Sequence, residues 1–250
     1  MKRKLSLLLS LVAASALAAP VFGQVYEMRT YTATPGNLDN LHARFRDHTV
    51  KIFEKHGMTN VGYWVPKSNE SNQLIYLLSY PDKDARDKAW AAFRKDEVWK
   101  KAYAESTKDG KLVAKVDSVF LKPTEYSPKP KIEKQDPARL FELRVYTTNP
   151  GKLKDLNRRF ETATVELFEK HGLQNVVYLT LLPGQEGADT KLIYFLAHKD
   201  EESRSAGFKA FSQDPKWQKA RKKSEENGKI LIKGGVESTL LEPTDYSPMR

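Results

Sequence analysis

The chain contains no cysteine. That absence excludes a disulfide framework, a cysteine-held metal cluster and the lipid-bearing cysteine of an anchored lipoprotein. Histidine is scarce, with five residues, and their spacing does not make a metal site. His42 and His48 are six residues apart on a helix, off a single face, and His56 and His171 read as helix C-terminal residues. No H-E-x-x-H and no EF-hand loop occurs. There is also no glycine-rich phosphate loop and no G-x-S-x-G elbow; Gly184 and Gly187 sit in a hairpin loop and read as a turn. No aromatic-interleaved basic stripe is present, which argues against nucleic acid. The formal net charge is +10, but acids alternate with bases, as in DKDARDKAWAAFRKDE over residues 82–97. That pattern is a solvated face.

The one long apolar run is Leu5 to Ala19, too short for a comfortable membrane span. Lys2, Arg3 and Lys4 precede it, and small residues at Val21 and Gly23 suit cleavage after Gly23, with Ala16/Ala18 as the rival site. Residues 1–23 therefore read as a signal peptide. The mature protein is expected in the periplasm or secreted, with no membrane span.

What the chain does have is a repeat. Residues 25–66 and 140–181 align without a gap, and 20 of these 42 positions are identical. The match resumes after a three-residue insertion: NQLIYLLSY pairs with TKLIYFLAH, Trp99 with Trp217, and LKPTEYSP with LEPTDYSP. Two copies of one domain are implied, over 24–123 and 140–250, with a Pro-, Lys- and Glu-rich linker over 124–139.

Each copy opens with period-two alternation, which predicts a strand. Tyr26, Met28 and Thr30 oppose Glu27, Arg29 and Tyr31; Phe141, Leu143 and Val145 oppose Glu142, Arg144 and Tyr146. A helix follows, with Leu38, Leu41, Phe45, Thr49 and Ile52 at helical spacing and Leu153, Leu156, Phe160, Thr164 and Leu167 in the second copy. Gly57 and Gly172 stop these helices. Strands are predicted over Val61–Val65, Leu74–Tyr80 and Val116–Lys122, with helices from Asp82 to Phe93 and from Asp96, an N-cap, to Ser106. The order β-α-β-β-α-β is the ferredoxin-like split βαβ plan. The fold class is α+β. The helices are expected to cover the Met28/Leu143 face, so the face of Glu27, Arg29 and Tyr31 must meet its counterpart, giving one pseudo-two-fold barrel per chain. The Tyr126-Ser127-Pro128 and Tyr246-Ser247-Pro248 endings are expected to pack each on its own domain.

The opening E-x-R-x-Y-T-x-x-P-G, the N-Q-L-I-Y-L-L-S-Y strand, Arg86 after it and the D-x-x-W ending in Trp99 resemble the NIPSNAP domain; Glu142, Arg144, Tyr146, Arg204 and Trp217 repeat the match. The resemblance covers nearly the whole mature chain and implies a dimeric α–β barrel. That superfamily includes cofactor-free monooxygenases, isomerases, haem enzymes and proteins without known chemistry, and animal family members are associated with mitochondria and protein interaction. Fold alone does not select among these. The family often places a histidine in the third strand, where this chain has Tyr76 and Tyr194. The second copy also has Leu179 for Trp64 and His198 for Tyr80, so the copies are not equivalent.

The candidate ligand-binding residues are Glu27, Arg29, Tyr31, Trp64, Tyr76, Tyr80, Glu142, Arg144, Tyr146, Tyr194 and His198. All are expected inside the barrel. The arginines could clamp an anion bidentately, the tyrosines could donate to a carbonyl, and a glutamate with a raised pKa could move protons. A mutual Glu–Arg network is the structural alternative. Three functions stay open: binding of a small, mostly apolar molecule with an anionic or carbonyl end; a cofactor-independent monooxygenase- or isomerase-like enzyme; and a protein-interaction scaffold. No metal and no cofactor is expected. The chain is expected as a monomer with an internal barrel or as a homodimer.

Overall fold

A computed structural model describes residues 24–250. The expected signal peptide over residues 1–23 lies outside the described residues. Each copy has four strands, four α-helices and one π-helical turn. The first comprises β1 (Val25–Ala33), α1 (Leu38–Arg44), a π-helical turn (Phe45–Thr49), α2 (Val50–Lys55), β2 (Thr59–Pro66), β3 (Gln73–Tyr80), α3 (Lys83–Lys95), α4 (Glu97–Ser106) and β4 (Val113–Pro123). The second comprises β5 (Leu140–Thr148), α5 (Leu153–Arg159), a π turn (Phe160–Thr164), α6 (Val165–Lys170), β6 (Gln174–Leu181), β7 (Lys191–His198), α7 (Glu201–Gln213), α8 (Pro215–Ser224) and β8 (Leu231–Pro243).

Local chemistry sets the breaks. Gly57 and Gly172 hold φ of 78° and 74° after the last helical turn, a conformation that costs other residues. The Asp96 side chain accepts from the backbone N–H of Val98 and Trp99, as an N-cap should. Its other oxygen meets His56 Nε2 at 2.8 Å, which ties the end of α2 to the start of α4. Asp214 and His171 repeat the contact at 2.8 Å.

The eight strands close into an antiparallel barrel in the order β1-β3-β2-β8-β5-β7-β6-β4. The joints between copies are made by the closing strands. β4 pairs with β6 from Leu121↔Leu181 to Pro123↔Leu179, and β8 pairs with β2 from Leu241↔Pro66 to Pro243↔Trp64. The tails continue this exchange. Ser127 Oγ accepts from Tyr178 N at 2.9 Å, and Ser247 Oγ accepts from Tyr63 N at 3.0 Å. Tyr126 packs in the helix-side cluster of the second copy, and Tyr246 in that of the first. The expectation that each tail packs on its own domain is therefore corrected. Each closing strand ends on the neighbour's wall, so its tail is delivered there.

The barrel interior is the second correction. It is filled by residues of both copies, among them Tyr26, Ile75, Leu77, Phe141, Leu143, Val177, Ile193 and Phe195, with Met28 and Val145 against them. Glu27, Arg29, Tyr31, Tyr76, Tyr80, Glu142, Arg144, Tyr146, Tyr194 and His198 are on the opposite face, beneath the helices. The alternation has the expected period and the opposite sign. Both faces of these strands are buried, so polarity cannot say which is inner. The helices decide it: α3 and α7 bring Arg86 and Arg204 to the two glutamates, whereas a closed barrel offers no such partners. Trp64 alone of the candidates faces inward. It fills the interior between Phe141 and Phe195, with ring centroids at 5.5 and 5.2 Å, and marks no open pocket there.

Candidate functional site

The glutamates that alternation singled out are joints between strand and helix. Glu27 is fully buried. It accepts from Arg29 Nη1 at 2.6 Å, Arg86 Nε and Nη2 at 2.8 Å, Ser118 Oγ at 2.9 Å and Trp90 Nε1 at 3.0 Å. Burial pushes the carboxyl up, but hydrogen bonds from Arg86 and the charge of Arg29 outweigh it and hold its pKa down at about 2. Glu142 has the same role. Arg204 Nε and Nη2 reach it at 2.7 and 2.8 Å, His198 Nε2 at 3.0 Å, and Arg144 pairs with it as well. Burial opposes its charge, yet the His198 and Arg204 hydrogen bonds keep it well below the usual carboxylate range. Tyr80 in one copy and His198 in the other are alternative partners for the same acid; Tyr80 Oη lies 3.3 Å from Glu27 Oε2. Arg29 and Arg144 are thus committed to protein carboxylates. They are not free to clamp a ligand.

A second arginine in each copy is differently placed. Arg44 ends α1, and the π turn after it begins at Phe45. The Thr49 hydroxyl donates to the Arg44 carbonyl at 3.1 Å across that turn. Turns of this kind recur at functional sites because the extra residue re-aims side chains. Here the turn sits over a cavity of about 350 Å³ between helices and sheet, lined by Tyr31, Arg44, Phe45, Thr49, Phe53, Phe93, Trp99 and Tyr103, with Lys111 and Lys115 among its other residues. That volume is within the range of small-molecule sites.

Arg44 is 5% exposed. Its Nη1 reaches Ser106 Oγ at 3.3 Å, and its guanidinium lies 5.5 Å from the Trp99 ring and 5.4 Å from the Tyr103 ring. Among the described residues no carboxylate pairs with it, and its Nε has no partner. Burial pulls its pKa below the ordinary arginine value. A buried cation facing aromatic walls without a counter-charge is costly unless something anionic arrives. The second copy has the matching cavity, also about 350 Å³, around Tyr146, Arg159, Phe160, Thr164, Phe168 and Trp217. There Arg159 meets Glu225 at 3.4 Å.

Of the sequence candidates, Tyr31 and Tyr146 line these cavities. The other nine do not. Arg44 and Arg159 were missed, although both copies keep an arginine immediately before the phenylalanine of the helix. The signal was that identity together with the exchange of Thr107 for Glu225.

The NIPSNAP family profile matches residues 26–128 and again residues 141–248. The chain is 28% identical over 145 residues to the protein NipSnap homolog of Dictyostelium discoideum, covering 57% of each, so it spans little more than half the length of that relative. Among solved structures it is similar in fold to a putative monooxygenase from Lactobacillus acidophilus, with TM-score 0.58 at 8% identity over 88% of this chain and 94% of that one. It is similar as well to an anthrone oxidase-like protein, with TM-score 0.58 at 14% identity over 88% and 91%. Likeness at that identity is likeness of fold.

Proposed function

The chain belongs to the NIPSNAP family, twice over in one polypeptide, and from that premise we propose that it binds a small molecule in the first helix–sheet cavity. The ligand has a flat, mostly apolar body and an anionic end. The observation that carries this reading is Arg44: a buried guanidinium with no carboxylate partner among the described residues, on the wall of a cavity of about 350 Å³. Phe45, Phe53, Phe93, Trp99 and Tyr31 supply the apolar and aromatic surface, and Arg44 supplies the charge. The ligand end expected at Arg29 or Arg144 moves to Arg44, because Glu27 and Glu142 already neutralise the other two. The composition of residues 1–23 supports placing this binding in the periplasm or outside the cell.

The names of the fold neighbours raise oxygenation as another activity. The geometry does not favour it at the two glutamates. A general base needs a pKa near the working pH, and both carboxylates are held ionised far below it.

The test is a native mass spectrum of the mature protein purified from its host. A retained extra mass in the wild type, lost in Arg44→Gln and kept in Arg29→Gln, is the expected result. Bare protein in all three, or a mass that survives Arg44→Gln, overturns the reading.

A further inference from the structure

The two cavities differ in charge at two neighbouring positions: Tyr103 and Thr107 in the first stand where Arg221 and Glu225 do in the second. Arg159 repeats the setting of Arg44: each is 5% exposed, each leaves Nε without a partner, and each turns Nη1 to a serine hydroxyl, Ser106 at 3.3 Å or Ser224 at 3.4 Å. Their guanidinium groups lie 5.5 and 5.3 Å from the Trp99 and Trp217 rings. Only around Arg159 does a carboxylate complete the set. Glu225 Oε1 is 3.4 Å from Arg159 Nη1, and Oε2 is 2.8 Å from Lys229 Nζ and, more loosely, 4.0 Å from Arg221 Nε, for which the first cavity has the uncharged Tyr103. Glu225 follows the last turn of α8, and Thr107 follows the last turn of α4, so the repeat puts Thr107 in Glu225's place. Lys111 stands in the place of Lys229 in the same way. Both Thr107 and Lys111 line the first cavity.

Resting on the reading of the first cavity as an anion site, we propose that Glu225 is a built-in counterpart of the ligand. Its carboxylate occupies in the second cavity the place that the ligand's carboxylate takes in the first. The ligand is then an aromatic or apolar monocarboxylate whose two oxygens are shared between Arg44 and Lys111, as Glu225 shares its own between Arg159 and Lys229. The chain takes one such molecule. A second is refused at Arg159, where a like charge and a filled position exclude it. The exchange of Thr107 for Glu225 thus sets stoichiometry, and Lys111 becomes a specificity-determining residue.

The experiment is calorimetric titration of the full mature chain with naphthoate, an aromatic monocarboxylate, and with neutral naphthamide. Variants are Arg44→Gln, Thr107→Glu, Glu225→Thr and Lys111→Ala, each checked by circular dichroism for the native melt. The wild type is expected to take one naphthoate and no naphthamide, Thr107→Glu none, and Glu225→Thr two, with about tenfold weaker binding in Lys111→Ala. If Glu225→Thr stays at one and Thr107→Glu still binds, this inference falls, while loss in Arg44→Gln would keep the proposed site. If the wild type takes none but Glu225→Thr takes one, the first-cavity reading falls and the role of Glu225 survives. No uptake by any variant sinks both.

Discussion

Both arms of the Arg86 fork close on Glu27: Nε reaches Oε2 and Nη2 reaches Oε1, each at 2.8 Å. The contact fastens α3 to β1 through a fully buried acid. Removing one partner leaves a buried charge under-compensated, which typically costs about 3–5 kcal/mol. Arg29 remains bonded to the same carboxylate, so Arg86→Ala is expected at the low end, about 3 kcal/mol. Urea unfolding followed by circular dichroism measures it. A loss below about 1 kcal/mol would show that the fork is dispensable.

The same acid gives a pH dependence of known sign. Glu27 has a folded pKa of about 2 against an ordinary value of 4.5. Between those values the unfolded chain binds more protons, so the contribution of Glu27 is complete above about 4.5 and is lost as pH falls toward about 2. The shift corresponds to stabilisation on the order of 3 kcal/mol. Stability of Glu27→Gln should therefore lie below the wild type at neutral pH and converge with it in acid. Parallel curves throughout that window would contradict the assignment.

Two tyrosines at matching positions should respond differently. Tyr194 Oη accepts from Arg144 Nε at 2.9 Å, whereas Tyr76 Oη and Arg29 Nε are both without partners. Tyr194→Phe strands a buried donor and should cost about 1–3 kcal/mol. Tyr76→Phe removes an unsatisfied group and should be neutral or slightly stabilising. Equal losses in paired denaturation curves would refute the difference between the copies.

The exchanged closing strands predict the behaviour of half the molecule. Residues 24–139 alone carry a β4 and a Tyr126 tail whose seats are on another copy. That fragment should associate in pairs to rebuild an eight-stranded ring. Light scattering on a sizing column should give twice its mass. A folded, stable monomer would mean that β2 and β4 need no neighbour.

The repeat, the order of elements and the closed barrel were legible because period-two alternation and the glycine stops are local signals. The sign of the alternation was not. Met28 is partly covered by the other copy and Glu27 is fully covered by α3, and no single strand reports which cover lies where. Arg44 was hidden for a different reason. In LHARFRDHT it resembles its exposed neighbour Arg46, yet it lies three residues after Leu41 and so shares the buried face of α1. A charged residue within an apolar stripe is passed over when the stripe is read by hydrophobicity alone. Thr107 and Glu225 lie past helix ends, where a change from hydroxyl to acid looks like ordinary surface drift.

Holding both halves in one polypeptide has a consequence for how the site can change. In a ring built from two identical chains, every substitution appears twice, so both cavities must gain or lose a property together. Here the two walls are encoded separately while still completing each other through β4 and β8. One half can acquire an acid at residue 225 while the other keeps a hydroxyl at residue 107. The fused chain is free to be asymmetric in its chemistry without giving up the symmetry of its frame.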